Sequence, residues 1–453
     1  MPIPSYPIPV EIVDLIIDEL HADTRTLKNC ALVLDYPSHS HEARGLLDVF
    51  NEHPSLARSV HHLEIWNYKE GLFDLATKQW TQITDDILPR IFEKLHSLRF
   101  FALSACPTMF DFFIHPPEIN WSHISPPLIF ALTTMLHASP IYAVAIQGFT
   151  NIPIADIAIG CPHLTRLKLS CTDTRLTWDA DHDDLFDANL EIPTALESRV
   201  QSDAVRDRHH LKSLIMDDHS VITIQGLFHS AILPQSRLCL SHLSEIEIRK
   251  SIRGMGCLPE KIMSFASGSL RTLSWDCPNY TSYTEQGVAM DAPSIPTYIR
   301  SLRLSFDHLH GVTSHHMSYV CTALEEIAKD NAQLEEILLI LKVERPSKID
   351  DVWCESAHWT ARFDELLTGA DTFPHLQHIV ILIWHPPSEH SQRAQVELCN
   401  EICMRLERML QQLQAKGILS VLWVVSAFEK GLSGLIIAEE ASVRKIEDGG
   451  FVI

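Results

Sequence analysis

The chain has 453 residues, of which 46% are hydrophobic and 21% charged, a composition typical of a folded protein with a large core or an extended repeat array. Its net charge of -22 argues against nucleic-acid binding and against binding to anionic membranes. No secretory signal or long uninterrupted apolar run is visible, so no membrane contact is expected. Eleven cysteines without a CxxC pair are typical of reduced thiols, so we expect a cytoplasmic or nuclear protein.

The first predicted element is a helix in "IPVEIVDLIIDEL", residues 8–20. Pro9 suits the first turn of a helix, where its missing N–H is not needed. Steps of about 100° per residue collect the apolar side chains on one arc, opposite an acidic stripe. The apolar arc contains Val10, Ile12, Val13, Ile16, Ile17 and Leu20. This arc fits either burial in the protein's own core or docking of a partner.

A second short helix is predicted in "DTRTLKNCALVL", residues 23–34. Asp23 or Thr24 can cap its start, and apolar side chains follow at i, i+3, i+4 and i+7. These side chains are Leu27, Cys30, Ala31 and Leu34. Pro37 ends the helix, because the residue before a proline disfavours helical geometry.

Together, the two segments resemble the opening of an F-box, as found in F-box-like proteins of mushroom-forming fungi. The residues that carry the resemblance are Pro9, Glu11, Ile12, Ile16, Leu20, Leu27, Cys30 and Val33. The resemblance implies docking onto the Skp-type linker of a cullin-RING ubiquitin ligase. By the same resemblance, the contact residues are Pro9, Ile12, Leu15, Ile16, Leu20, Leu27, Cys30 and Val33. The third helix of the family has no counterpart after Tyr36, so the module is shortened.

A repeated pattern, L-x-x-L-x-L with other apolar residues in place of some leucines, follows the F-box-like segment. It begins at residues 60, 98, 141, 164, 211, 243, 270, 299, 334, 376 and 418. Each repeat is interpreted as a short strand followed by a returning helix, as in "CTALEEIAKDNAQ" and "EICMRLERMLQQLQAKG". Stacked in parallel, such units bury a shared core that no single unit can cover.

The predicted fold class is therefore α/β, an irregular leucine-rich-repeat-like solenoid preceded by a short helical F-box-like segment. The F-box resemblance implies the same fold. We predict truncated F-box-like helices at 1–36, a helical linker at 37–58, the solenoid at 59–426, and a C-terminal cap or tail at 427–453. The alternative is an ordinary α/β protein with a parallel sheet.

Strand alternation predicts which side chains point away from the helices: those at positions three, five and seven of each repeat. As a candidate surface for an unidentified target protein, the charged residues among them are Arg166, Lys168, Asp217, Glu245, Glu247, Arg249, Asp276 and Arg303. A solvated sheet surface without a ligand is the alternative. In the last three repeats these positions are apolar, which predicts burial on both faces. The cover would be residues 427–453 or a partner.

Catalytic and metal-binding motifs are not recognisable. "RGMGC" at 253–257 lacks the third glycine of a dinucleotide loop, and "GLSG" at 431–434 is not a nucleophile elbow. The acidic stretch at 179–189 lacks the glycine and glutamate of an EF-hand. We therefore expect no enzyme activity, cofactor or metal, and predict a substrate-recognition adaptor. The alternatives are an interaction scaffold that has lost ligase binding, or an α/β enzyme whose pocket has no recognisable motif.

Overall fold

The computed structural model describes residues 31–35, 40–66, 73–74, 79–80, 87–105, 119–173, 209–217, 220–232, 236–249, 262–263, 266, 268–277, 295–296, 298–306, 314–329, 333–342, 357–369, 372–385, 392–425 and 451–452. The predicted helix at 9–20, the acidic stretch at 179–189 and most of the predicted cap at 427–453 lie outside these residues. The chain forms two compact units.

The first unit contains a parallel sheet with strand order β1-β2-β5-β7-β9. Its strands are β1 Ala31–Asp35, β2 His62–Trp66, β3 Phe73–Asp74, β4 Gln79–Trp80, β5 Phe100–Ser104, β6 Ile119–Asn120, β7 Ala143–Gln147, β8 Phe149–Thr150 and β9 Arg166–Ser170. Its helices are α1 Ser40–Glu52, α2 Pro54–Ser59, α3 Ile87–Phe92, α4 Pro126–Ala138 and α5 Ile154–Gly160. Helix α3 packs between α1 and α4, as expected for helices that return between neighbouring strands.

Three elements contain residues of both units: β10 His209–His210, α6 Val221–Ile232 and β12 Leu238–Cys239.

The second unit contains a parallel sheet with strand order β11-β13-β14-β15-β16-β17-β18-β19. Its strands are β11 Ser213–Asp217, β13 Glu245–Arg249, β14 Thr272–Cys277, β15 Ser301–Phe306, β16 Glu336–Lys342, β17 His378–His385, β18 Leu419–Val425 and β19 Phe451–Val452. Its helices are α7 Ser314–Ala328, α8 Ala357–Thr368, α9 Gln392–Met409 and α10 Gln411–Ala415.

A recurring backbone contact sets the register of the repeats. The carbonyl at position two of one repeat accepts hydrogen bonds from the amides at positions two and three of the next. In the second unit, for example, the Arg300 carbonyl accepts from the amides of Glu335 at 2.8 Å and Glu336 at 3.0 Å. The same contact is made by the carbonyls of His61, Arg99, Tyr142, Lys212, Ser244, Arg271 and Glu335. The predicted parallel α/β repeat is therefore confirmed, and the repeats joined by this contact share one register.

The last repeat differs from the sequence prediction by two residues. Ile379, at position four of its repeat, pairs with Leu419 rather than Val421. The repeat therefore begins at Lys416 instead of residue 418. A shift of two residues keeps the same side chains on each face of the strand, because side chains alternate with a period of two.

The core lies under the side chains at positions four and six. Leu63 in the first unit and Leu273, Leu302, Ile337 and Ile379 in the second all have 0% relative exposure. Each buried aliphatic side chain contributes about 2 kcal/mol of transfer free energy, so a ladder of them stabilises the parallel sheet strongly. The aliphatic residues at positions four and six of each repeat therefore account for where the strands form along the chain.

Two helix predictions need correction. The helix predicted at 23–34 is wrong for its last residues, because Ala31–Asp35 forms β1 and pairs in parallel with His62–Trp66. A short apolar run fits either structure, and pairing along a sheet edge outweighs the weak helical preference. The helix predicted in "EICMRLERMLQQLQAKG" is broken at Leu410, whose φ of -108° and ψ of 51° separate α9 from α10.

Candidate protein-recognition surface

We define the outward face as the side of each sheet opposite the buried position-four and position-six side chains. In the second unit, the parallel register aligns its side chains into rows that run across the strands. One row contains Ile215, Glu247, Ser274, Arg303, Leu338 and Val380. The next row includes Asp276, Ser305, Ile340, Leu382 and Leu422. In these two rows, the outward face is therefore polar from β13 to β15 and apolar on β16 and β17, and β18 adds Leu422 beside the polar Ser420.

Several charged residues of the outward face are paired inside the protein. Arg249 Nε donates a hydrogen bond to Glu247 Oε1, and the two residues are only 7% and 9% exposed. Asp217 is 2% exposed, and its Oδ1 accepts a hydrogen bond from Ser220 Oγ at 2.7 Å. Because these charged groups are buried and paired within the protein, they present little charge to solvent.

The eight charged residues predicted to contact a target separate into two groups. Lys168, Asp217, Glu247 and Arg249 are buried. Arg166, Glu245, Asp276 and Arg303 are half-buried and keep accessible surface. Arg166 and Lys168 belong to the first unit, and the other six belong to the second. A target can therefore reach four of the eight directly.

Arg303 is a charged residue of the outward face that adjoins its apolar part. Among the described residues, no hydrogen bond or ion pair is formed by its side chain. Its register neighbours are Ser274 on β14 and Leu338 on β16, so the guanidinium lies at the boundary between the polar and the apolar part. A half-buried guanidinium in this setting is a donor for a carboxylate brought by a partner.

An apolar patch covers the adjoining strands β16 to β18. It consists of Leu338, Ile340, Val380, Leu382 and Leu422, all half-buried. The predicted burial on both faces is wrong for these side chains. The alternation of side chains along a strand predicts which way they point, but it does not predict what covers them. An accessible aliphatic cluster of this kind is a typical feature of interaction surfaces.

The inward side of β16 and β17 is closed, whereas Leu419 and Val421 on the inward side of β18 are half-buried. Ile379 and Ile381 on β17 are 0% and 1% exposed. Helix α9 packs against β17 and β18, and its Asn400 Oδ1 accepts a hydrogen bond from Trp423 Nε1 at 2.9 Å. The accessible apolar surface of β16 and β17 therefore lies on the outward side.

The outward face of the first unit has a different character. Phe100, Ala102, Ala145 and Lys168 are between 0% and 6% exposed. Glu64 has 0% exposure, and its Oε1 lies 2.6 Å from His62 Nε2. The sequence did not distinguish this buried face from the accessible one, because both follow the same strand pattern. The second unit is therefore the better candidate for recognition.

Two buried cysteines have thiols that stay protonated at neutral pH. Burial raises the pKa of Cys161 to about 12, and its Sγ donates a hydrogen bond to the Leu136 carbonyl at 3.4 Å. Burial also raises the pKa of Cys321 to about 11, against the opposing charge of Arg362. Thiolates are the reactive form of cysteine, so these two residues are suited to core packing rather than to nucleophilic chemistry.

Comparison with known proteins assigns no family. No family model matches the chain, and no curated protein matches it. Within the described residues, no group of three or more His, Cys, Asp or Glu side chains is placed to hold a metal ion. In that same part of the chain, every helix is too short or too polar to span a membrane.

Most of the predicted Skp-type contact residues lie outside the described residues. These are Pro9, Ile12, Leu15, Ile16, Leu20, Leu27 and Cys30. Val33 is described and lies in β1, where it pairs with Glu64 of β2 rather than belonging to a helix. The structure therefore brings Val33 into the sheet of the first unit.

Proposed function

We propose that the protein is a noncatalytic substrate-recognition adaptor of a Skp-cullin-F-box type ubiquitin ligase. The outward face of the second unit binds the target protein, and the F-box-like segment at 9–33 binds the Skp-type linker. The observation that carries the recognition role is the accessible part of that face, where Arg303 adjoins the apolar patch. Repeat arrays commonly use such extended sheet surfaces to bind proteins.

Support for the ligase connection comes from the sequence. Ile12, Ile16 and Leu20 share one arc of the predicted first helix, which provides more apolar surface than a solvated helix needs. In an adaptor, this arc docks onto the linker, while other subunits carry out ubiquitin transfer. The adaptor itself then needs only to hold the target.

A second candidate is a repeat-based interaction scaffold without a ligase partner. The pairing of β1 with β2 favours it, because residues 31–35 are held in the sheet and cannot extend a docking helix. In that case the apolar arc of the first predicted helix packs within the protein. The two candidates share the same recognition surface and differ in whether the Skp-type linker binds.

Co-purification with the Skp-type linker separates the two candidates. We expect the full chain to retain the linker and the double variant Ile12→Asp, Ile16→Asp to bind it at least about 100-fold more weakly. Two carboxylates placed at the centre of an apolar interface are desolvated without a partner. The measurement is the linker recovered with each variant, followed by a titration.

The matched control is Asp14→Asn with Asp18→Asn on the opposite, acidic stripe of the same predicted helix. This control should bind as the wild type does. Failure of the wild-type chain to retain the linker would contradict the ligase role and leave the scaffold as the function. Equal loss in the control would show that the predicted arc is not the contact.

A further inference from the structure

We propose that the apolar patch and Arg303 form one docking site for a segment of a partner protein that presents aliphatic side chains beside a carboxylate. This inference rests on the proposed recognition function and specifies the chemistry of the target. The site is formed by β15 to β18 in the second unit, and its aliphatic members are Leu338, Ile340, Val380, Leu382 and Leu422.

The spacing of the strands fits a short segment. Neighbouring strands lie about 4.8 Å apart, and alternate residues along a strand lie about 6.6 Å apart. Leu338 and Val380 are register neighbours, as are Ile340 and Leu382, so the four side chains form a compact two-by-two array. Leu422 extends the second row onto β18. Two or three aliphatic side chains can cover this area.

Charge complementarity selects an acidic group in that segment. Arg303 lies one strand from Leu338, and among the described residues its side chain has no hydrogen-bond or salt-bridge partner. Arg249, a second arginine among the described residues of this outward face, is already engaged by Glu247. A carboxylate placed beside the aliphatic side chains would meet the Arg303 guanidinium with two parallel hydrogen bonds at the rim of the patch.

The polar rim restricts the orientation of the segment. Ser301 Oγ donates a hydrogen bond to Glu336 Oε2 at 3.1 Å, so Glu336 brings negative charge to the edge of the patch near the start of β16. An acidic residue of the partner is disfavoured beside Glu336 and favoured beside Arg303. The carboxylate is therefore expected on the β15 side of the aliphatic cluster.

Selection from a displayed library of random twelve-residue peptides tests this proposal on the full-length protein. We expect the wild type to enrich peptides that combine Leu, Ile, Val or Phe with Asp or Glu. Peptides so selected should bind Leu382→Asp at least about tenfold more weakly, because a carboxylate there removes apolar contact and repels the peptide. Arg303→Glu should replace the Asp and Glu enrichment by Lys and Arg.

Arg300→Glu is the matched control, since it makes the same charge change three residues away, where Arg300 pairs with Glu335 at 3.2 Å. It should keep the wild-type enrichment. Far-ultraviolet circular dichroism and thermal unfolding confirm that each variant used is folded. Ile340→Thr, which keeps a β-branched side chain, provides a second patch variant with a smaller expected loss in affinity.

Three results would overturn the proposal. The first is a failed selection, in which Arg303→Glu leaves the enrichment unchanged or no enriched peptide binds Leu382→Asp more weakly than the wild type. The second is patch-dependent binding that requires removal of residues 426–453, which would assign the patch to the chain's own C-terminal segment. The third is a wild-type dimer that Leu382→Asp dissociates. Because no Skp-type linker is present, these results are independent of the test of ligase binding.

Discussion

Ile381→Asp is expected to prevent stable folding, whereas Leu382→Asp at the next position of β17 is expected to be tolerated. Ile381 is 1% exposed on the inward side, where a carboxylate would be buried without a partner. The cost of about 5 kcal/mol or more is comparable to the whole free energy of unfolding of many domains. Leu382 is half-buried on the outward side, so the same change should cost about 1 to 2 kcal/mol.

The measurement is urea unfolding of both variants followed by circular dichroism, with the fraction of soluble protein as a second readout. Both variants introduce an aspartate near the middle of β17, so each serves as the control for the other. Equal destabilisation would contradict the difference between the two faces. It would mean that β17 is buried on both sides, as the sequence pattern alone predicts.

Asp364→Ala is expected to lower the free energy of unfolding by about 3 kcal/mol. Asp364 on α8 is 4% exposed, and its two carboxylate oxygens accept hydrogen bonds from the first turn of α10. Oδ2 accepts from the Gln412 amide at 3.0 Å, and Oδ1 accepts from the Leu413 amide at 2.9 Å. Removing the carboxylate leaves both amides without this acceptor, and hydrogen bonds to charged groups are among the stronger ones in proteins.

Glu365→Ala is the control for Asp364→Ala, because Glu365 is the next residue of α8 and is exposed. It should change the free energy of unfolding by less than about 0.5 kcal/mol. Amide hydrogen exchange gives the local readout, since Gln412 and Leu413 should lose protection in the Asp364 variant. Unchanged protection there would mean that α10 is held by packing of Leu413 alone.

The strands could be predicted from the sequence because their signal is local and repeated. Each repeat places apolar residues at positions four and six, and all eleven predicted segments are strands of the two units. The register error at the last repeat arose because "ILSVLW" has apolar residues at all three pattern positions, whereas the observed repeat "KGILSV" has Lys416 at position one. Only pairing between Ile379 and Leu419 distinguishes them.

Other features depend on residues far apart in the sequence. The break at Leu410 coincides with a cap from Asp364, 48 residues before Gln412. Residues 31–35 form β1 because they pair with the edge of β2, and the run "ALVLD" alone does not indicate this pairing. The difference between the buried outward face of the first unit and the accessible one of the second could not be predicted, since strand alternation gives direction but not cover.

The central claim is that β16 and β17 are closed on the inward side and accessible on the outward side, where we propose that a partner segment docks. Carbene footprinting of the full-length protein, read at single residues by mass spectrometry, tests it most directly. We predict labelling of Leu338, Val380 and Leu382, with Ile337, Ile379 and Ile381 protected. Protection of both sets, or labelling of both sets to the same extent, would contradict the account.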